Sequence, residues 1–286
     1  MTLDLAGTPI HVADRGAGDA PPVLLLHGNP DSADLWDGVI DHLAPRRRCL
    51  APDLPGFGRS GVPADFDPSL DGLARFADQL LDEMGLDEPV DLVAHDLGGL
   101  FGLAWAIAHP ERVRRLVVGG CPFHGDYRWH AWARVWRTPL LGEVSLLGMN
   151  RWLYRRELRR GGRRLPADHI ERSYAHVTPA AKRMVLRLYR AAHPSVFAAW
   201  EPRLLALTAH VPTLVLWGAH DPYIPVRYAD RFGATQTPSG RVHVFPDCGH
   251  WWPVEEADAS AALIEAFLGE ETSRGAGESV MGRVRG

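Results

Sequence analysis

Short apolar runs recur along the chain, and each ends at turn-forming residues. Three of them stop at Gly, Asn, Asp or Pro, as strands buried on both faces of a sheet do: "PPVLLLHGNP", "PVDLVAH" and "VPTLVLWGAHDP". Residues 69–84 and the later stretch "ASAALIEAFLG" instead carry apolar side chains at helical spacing. This alternation predicts an α/β protein with a mostly parallel central sheet flanked by helices.

Shorter signals complete the predicted sheet. The N-terminal "LDLAGTPIHVADRG" is typical of two short strands around a Gly-Thr-Pro turn. "RRRCLAP" precedes a glycine-rich loop, and "RLVVGG" and "GRVHVF" add two further strands.

The middle of the chain has a different pattern, because the strand signal disappears between residues 122 and 205. This region is rich in Trp and Arg, and its capping signals predict helices, with Asp168 and Thr178 as N-caps and Pro179 at a first helical position. We therefore predict a core formed by 1–121 and 206–270, a helical cap insertion over 122–205, and a disordered tail over 271–286.

Composition narrows the class of protein. The formal net charge of −4 gives no electrostatic support for binding nucleic acid, and no apolar run reaches membrane-spanning length. Cys49, Cys121 and Cys248 lie in separate apolar stretches without metal-type spacing, which indicates buried thiols and no metal site. The chain does not begin with a cationic stretch followed by an apolar one, as a signal peptide does, so we predict a cytoplasmic protein. We further predict that it is either a monomer or a homodimer.

The stretch "VDLVAHDLGGLFG" places a carboxylate at the apex of a sharp strand-to-helix turn. Asp96 is flanked by the small residues Ala94 and Gly98, in the small-x-nucleophile-x-Gly pattern of a nucleophile elbow. A Ser attacking a saturated carbon would leave an ether, which water does not readily cleave. A carboxylate leaves an ester, which can be hydrolysed, so Asp96 suits displacement at a saturated carbon by covalent catalysis.

Six motifs together resemble one family. They are "HGNP", "APDLPGFGRS", "VAHDLGG", "AHPERV", "WGAHDPYIP" and "CGHWWPVEE", and they cover nearly the whole chain outside the predicted cap and tail. In this order they resemble the aspartate-nucleophile branch of the α/β-hydrolase fold, which contains epoxide hydrolases and haloalkane dehalogenases. The resemblance implies a hydrolase that needs no cofactor.

The resemblance also implies roles for particular residues. Asp96 would be the nucleophile, His250 the base that activates water, and Asp221 the acid that orients His250. The backbone N–H groups of Asn29 and Leu97 would form the oxyanion hole. Each has a purely structural alternative, because Asp96 suits a helix N-cap, Asp221 an Asx turn before Pro222, and His250 a packed loop.

A departing halide needs its own donors. Haloalkane dehalogenases generally use a Trp directly after the nucleophile, together with either the Asn of "HGNP" or a second Trp from the cap. Asn29 matches, but Leu97 stands where the Trp is expected. The remaining indole donors would have to come from the cap, and the candidates are Trp129, Trp132, Trp136 and Trp152.

A departing epoxide oxygen needs a proton donor, because an alkoxide is a poor leaving group. The family uses two cap tyrosines, or a Tyr with a His. Tyr189 resembles the second donor, although its helical stripe with Val185 and Leu188 equally fits a packed core aromatic. The candidates for the first donor are Tyr154, Tyr174, Tyr127 and His124.

The apolar surroundings of the predicted site favour a small, largely apolar and neutral organic substrate, which reacts with water. Its expected pocket residues are Leu97, Trp129, Trp152 and Trp251. We predict an epoxide hydrolase that forms a vicinal diol, with haloalkane dehalogenase as the alternative.

Three other functions are less favoured. A fluoroacetate-type dehalogenase would have arginines at positions 97 and 100, where this chain has leucines. A non-catalytic binding protein would not need all three triad residues, and an esterase has no evident use for Asp in place of Ser.

Overall fold

The computed structural model describes residues 1–232 and 240–270 of the chain. The predicted disordered tail, 271–286, lies outside the described residues. The strands are β1 Thr2–Leu5, β2 Thr8–Arg15, β3 Val23–Leu26, β4 Cys49–Pro52, β5 Val90–His95, β6 Val113–Gly119, β7 Thr213–Gly218 and β8 Arg241–Phe245. Together they form one sheet in the order β1-β2-β4-β3-β5-β6-β7-β8.

The sheet is mostly parallel, which confirms the prediction from the alternating strand and helix signals. The pairs from β4–β3 across to β7–β8 are parallel, whereas β1–β2 and β2–β4 are antiparallel. The central strands β3, β5 and β7 are buried along their whole length, because helices cover both faces. The β1–β2 turn lies at Ala6 and Gly7, which both have positive φ, and not at the predicted Gly-Thr-Pro.

Helices follow most of the strands. They are α1 Asp37–Leu43, α2 Leu70–Glu83, α3 Leu97–Ala108, α4 Ala131–Arg137, α5 Leu141–Leu147, α6 Arg151–Gly161, α7 Ala167–Ala175, α8 Pro179–Ala191, α9 Pro194–Thr208, α10 Trp252–Glu255 and α11 Ala257–Gly269. On one face of the sheet the buried core includes α2, α3 and α9, and on the other it includes α1 and α11.

Helices α4 to α9 lie between β6 and β7, in the region where the strand signal disappears. Thr178 caps α8 by accepting a hydrogen bond from the Ala181 N–H at 3.1 Å, and Pro179 is its first residue, as predicted. The prediction that Asp168 is the N-cap of α7 is wrong. Pro166 has the extended backbone of the N-cap, so Asp168 lies within the first turn. The boundaries of a separate cap stay a prediction, and its upper limit at residue 205 falls inside α9.

The three cysteines are buried and form no disulfide, as their apolar surroundings predicted. Burial raises the pKa of each thiol. Among residues 1–232 and 240–270, none of the helices has the length and apolar character needed to cross a bilayer.

Candidate active site

The turn between β5 and α3 presents Asp96 in a conformation that L-residues rarely adopt. Its φ is +52° and its ψ is −123°. Two glycines make room for it: a Cβ on Gly28 would overlap the Asp96 side chain, and a Cβ on Gly98 would overlap the carbonyl oxygen of Leu26. The Asp96 side chain caps no N–H of α3, so the N-cap alternative is not supported.

Asp96, His250 and Asp221 converge although they lie far apart in the sequence. His250 Nε2 lies 3.5 Å from Asp96 Oδ2, and His250 Nδ1 lies 2.7 Å from Asp221 Oδ2. The other oxygen of Asp221 accepts hydrogen bonds from the N–H groups of Tyr223 and Ile224 at 2.8 and 2.9 Å. Asp221 therefore forms the Asx turn and holds His250 at the same time.

Burial and charge act in opposite directions on this group. Burial alone would lower the pKa of His250, but the carboxylates of Asp221 and Asp96 raise it to about 10. Burial alone would raise the pKa of Asp96, but the hydrogen bond and charge of His250 hold it below its usual value. Asp96 is therefore an ionised carboxylate beside an imidazolium in the free protein.

One of the two predicted oxyanion-hole groups contacts the carboxylate directly. The Asn29 backbone N–H donates to Asp96 Oδ1 at 2.7 Å. The other predicted group belongs to Leu97, the first residue of α3 and the neighbour of Asp96 in the chain. Since Oδ1 is held by Asn29, Oδ2 is the Asp96 oxygen that lies next to the His250 ring.

Neighbouring histidines support this geometry. His95 Nε2 lies 2.9 Å from the His250 carbonyl oxygen, and burial lowers the pKa of His95 to about 4, so its ring is neutral at pH 7. His27 accepts a hydrogen bond from the Leu54 N–H at 2.9 Å, and its other nitrogen lies 2.8 Å from the Gly28 carbonyl oxygen. These contacts fix the loops on either side of Asp96.

A mostly apolar cavity opens onto Asp96 and His250, as small-molecule sites typically do. Its walls on the sheet side are Asn29, Pro30, Phe57, Asp96, Tyr223, His250 and Trp251. The segment from α4 to α8 contributes His130, Trp132, Trp136, Leu146, Met149, Tyr154, Glu157, Leu158, His176, Val177, Ala181, Lys182, Val185 and Tyr189.

Two hydrogen-bond donors line the cavity near the Asp96 end. Burial, together with the charge of Asp96, raises the pKa of Tyr189 far above its usual range, while a hydrogen bond with the Asn29 side chain acts against this. The Tyr189 phenol is therefore protonated at neutral pH. Burial lowers the pKa of His130 to about 4, so His130 is neutral at that pH.

The tautomer of His130 follows from its capping role. Its Nδ1 accepts a hydrogen bond from the Ala133 N–H at 3.3 Å, because His130 is the N-cap of α4. A neutral imidazole has one donor and one acceptor, so Nε2–H is the remaining donor. His130 was not predicted as a site residue, because no local pattern in the sequence distinguishes it from the many aromatic residues around it.

The other predicted donors have hydroxyl or ring atoms engaged elsewhere. Tyr154 lines the cavity, but its hydroxyl lies 2.5 Å from Ser173 Oγ. The Tyr127 hydroxyl donates to the Tyr223 carbonyl oxygen at 3.0 Å, and His124 Nδ1 lies 3.0 Å from Glu201 Oε1. Neither Tyr127 nor His124 lines the cavity, and neither does Tyr174.

Three of the four predicted pocket residues do not line the cavity. Trp152 is 65% exposed, because it lies two residues before Tyr154 on α6 and so faces the opposite side of the helix. Trp129 packs behind Tyr189, with ring centroids 5.2 Å apart, and the Leu97 side chain is buried in the core. The pocket prediction is wrong for these three, whereas Trp251 does line the cavity.

A buried polar network anchors the loop after Asn29. Asp31 Oδ2 accepts a hydrogen bond from Trp251 Nε1 at 2.7 Å. Asp31 Oδ1 accepts one from Ser173 Oγ at 3.1 Å and lies 3.2 Å from His169 Nε2. Through Ser173 the network reaches Tyr154, so one carboxylate connects α6, α7 and the residue that follows His250.

Replacing Asp31 by Ala is expected to lower the free energy of unfolding by about 2–4 kcal/mol, because it leaves the buried Trp251 and Ser173 donors without their acceptor. Denaturant unfolding measures this change. The matched control is Asp87→Ala, at an exposed position, for which we expect less than about 0.5 kcal/mol. Equal effects of the two substitutions would contradict the anchoring role of Asp31.

Three features of this structure together define the α/β-hydrolase class. The sheet is mostly parallel, and Asp96 lies in a strained strand-to-helix turn. Later in the chain come an Asp and then a His, which are in hydrogen-bond contact. The family model described as alpha/beta hydrolase fold matches residues 21–145 and 126–257. The chain belongs to this family and is an α/β-hydrolase enzyme.

Curated relatives and solved structures agree with this assignment. Haloalkane dehalogenase 2 of Mycobacterium tuberculosis is 32% identical over 271 residues, which span 90% of this chain and 91% of that protein. Cis-3-alkyl-4-alkyloxetan-2-one decarboxylase of Shewanella oneidensis is 26% identical over 300 residues, spanning 94% and 87%. A loop variant of a haloalkane dehalogenase from Bradyrhizobium elkanii has a TM-score of 0.78 at 25% identity, covering 94% of this chain and 95% of that chain.

Proposed function

We propose that this enzyme opens an epoxide by attack of Asp96 on a saturated carbon and releases a vicinal diol. The observation that carries the proposal is the protonated Tyr189 phenol, which lines the same cavity as Asp96 and Asn29. An alkoxide leaving group needs such a donor, and a positioned general acid contributes about 10²–10⁴-fold in rate. The neutral His130, with Nε2–H as its donor, is the second group for the same oxygen.

The first step forms an ester on Asp96. Oδ2 attacks one epoxide carbon, the bond from that carbon to the ring oxygen breaks, and the oxygen takes the proton of Tyr189. Oδ1 becomes the ester carbonyl oxygen and already accepts the Asn29 N–H at 2.7 Å. The charge of Asp96 is lost in this step, which removes one of the two carboxylates that raise the pKa of His250.

The second step hydrolyses the ester. The pKa of His250 falls when the charge of Asp96 is lost, so His250 first gives its proton to the Tyr189 phenolate and becomes neutral. The neutral His250 then takes a proton from water, and the water oxygen attacks the carbonyl carbon of Asp96. The Asn29 and Leu97 N–H groups stabilise the oxyanion, and losing one such donor costs about 2.7–4 kcal/mol of barrier. The diol leaves, and the cycle ends as it began, with Asp96 a carboxylate, His250 an imidazolium and Tyr189 a phenol.

Haloalkane dehalogenation is the second candidate. Trp136 lines the cavity, and its buried indole N–H has no hydrogen-bond partner within the described ranges, so in this reading Trp136 and the Asn29 amide are the pair of halide donors. One relative is named for a haloalkane and another for an oxetanone, a strained oxygen ring, so the relatives' names do not separate the two leaving groups.

The Tyr189→Phe variant tests which group leaves. Removing the phenol is expected to lower diol formation from terminal and aryl epoxides by about 10²-fold or more, because the alkoxide loses its proton donor. The matched control is Tyr174→Phe, which removes a hydroxyl outside the cavity and is expected to leave diol formation unchanged. Diol and bromide are measured in parallel on epoxide and bromoalkane panels.

The same measurements can also reverse the preference for an epoxide over a halide as the leaving group. Bromide release by the wild-type enzyme, with no diol from any epoxide, would replace epoxide opening by dehalogenation. A cytoplasmic location, a monomeric or homodimeric state, and the absence of a cofactor stay predictions from the sequence.

A further inference from the structure

Lys182 is the only lysine in the chain, since every other residue of the Lys and Arg types is an arginine. It lies on α8 and lines the same cavity as Asp96. Within residues 1–232 and 240–270 it forms no ion pair. Lys182 is half-buried at the wall of a mostly apolar cavity, and when a ligand displaces the water around its ammonium, that charge needs an anion to pair with.

The other charged groups of the cavity wall have partners. Glu157 Oε1 accepts a hydrogen bond from the Tyr223 hydroxyl at 3.0 Å and forms an ion pair with Arg160 at 3.1 Å. His176 Nε2 lies 3.6 Å from Asp34 Oδ2. Asp96 and His250 pair with each other. Among the described residues that line the cavity, Lys182 is therefore the charged group without a protein partner, and a ligand can supply one.

The position of Lys182 along α8 sets the distance between its charge and the Tyr189 end of the cavity. Ala181, Lys182, Val185 and Tyr189 all line the cavity, and Lys182 precedes Tyr189 by seven residues, or about 10 Å along the helix axis. The wall around them is apolar and includes Trp132, Trp136, Leu146 and Met149. A ligand that reaches both ends is therefore apolar along its length and anionic at the end away from Asp96.

We propose that the substrate carries an apolar chain ending in a carboxylate, which pairs with Lys182 while the reactive carbon lies at Asp96. The chain between them spans roughly eight carbon atoms, from the helix rise of 1.5 Å per residue. This inference rests on the proposed function and narrows its substrate class, from a neutral apolar molecule to an amphiphilic acid. The flexible, apolar stem of lysine suits this role, because it continues the apolar wall up to the charged end.

The test compares the terminal epoxide of a medium-chain fatty acid with its methyl ester, which has the same chain without the charge. The wild-type enzyme is expected to prefer the acid. Lys182→Met and Lys182→Gln are expected to lower kcat/KM for the acid by roughly 10- to 100-fold and to leave the ester unchanged. Lys182→Arg keeps part of the preference. Arg183→Met, at the exposed neighbouring position on the same helix, is expected to change neither substrate.

A binding measurement separates this proposal from the proposed function. Calorimetry with the saturated fatty acid of the same length needs no catalysis, and its affinity is expected to fall in Lys182→Met to the same degree. An unchanged ratio of acid to ester in Lys182→Met, with unchanged fatty-acid affinity, would overturn the role of Lys182 and leave epoxide opening intact. Lys182-dependent fatty-acid binding without turnover of either epoxide would support this inference and contradict the proposed function.

Discussion

Replacing His250 by Gln is expected to trap the substrate as an ester on Asp96. His250 Nε2 lies 3.5 Å from Asp96 Oδ2, the position from which it would take a proton from the hydrolytic water. Attack by Asp96 does not require this base, so the ester forms, but its hydrolysis stops. Steady-state turnover should fall by roughly 10⁴-fold or more, as when one member of a triad is removed.

Intact mass spectrometry measures the trapped ester as a mass increase equal to one substrate, and peptide mapping should locate it at Asp96. The control is the double variant His250→Gln, Asp96→Ala, which should gain no mass. A single turnover of the wild-type enzyme in ¹⁸O-labelled water adds a second readout, since the label should enter the Asp96 carboxylate before it appears in the diol. Unmodified His250→Gln protein after exposure to a substrate of the wild-type enzyme would rule out the covalent mechanism.

Replacing Asp96 by Gly or by Ala is expected to abolish turnover equally but to affect stability differently. Both substitutions remove the nucleophile, so product formation should fall to background. The backbone at position 96 has φ +52° and ψ −123°, which Gly adopts without strain and Ala does not. After allowing for the greater flexibility of Gly in the unfolded chain, the Gly variant should be more stable than the Ala variant by about 1 kcal/mol.

Denaturant unfolding of the two variants measures this difference directly, because both lack the same carboxylate and differ by one methyl group. Equal stabilities, or a more stable Ala variant, would show that the turn relaxes and that Asp96 is not held in a strained conformation. Residual turnover in both variants would favour the non-catalytic role of Asp96 and would contradict the proposed mechanism.

Local patterns in the sequence predicted the strands and helices of the sheet and singled out Asp96, Asp221 and His250, which the structure brings together. The eight strands of the described residues all coincide with apolar runs or alternating stretches, because a buried strand has to be apolar on each face that is covered. The turn at Asp96 was predictable because only small neighbours fit around its apex, and this requirement is visible as Ala94 and Gly98.

The sequence was less informative about the cavity. It placed Trp152 and Trp129 in the pocket, but the structure exposes the first and packs the second behind Tyr189. It did not identify His130 or Lys182, which do line the cavity. Helices α4 to α8 carry apolar or aromatic side chains on more than one face, so periodicity alone does not determine which face is turned toward the sheet.

The sequence by itself therefore determined the α/β class, the order of Asp96, Asp221 and His250 in their motifs and the carboxylate at the apex of the turn, since each depends on neighbours within a few positions. Only the tertiary structure decided which donors and charges face Asp96: the Tyr189 phenol, the His130 ring and the Lys182 ammonium. Their placement depends on how α4 and α8 pack over the ends of β3, β5 and β7. That packing is set by contacts between residues far apart in the chain, which no local pattern encodes.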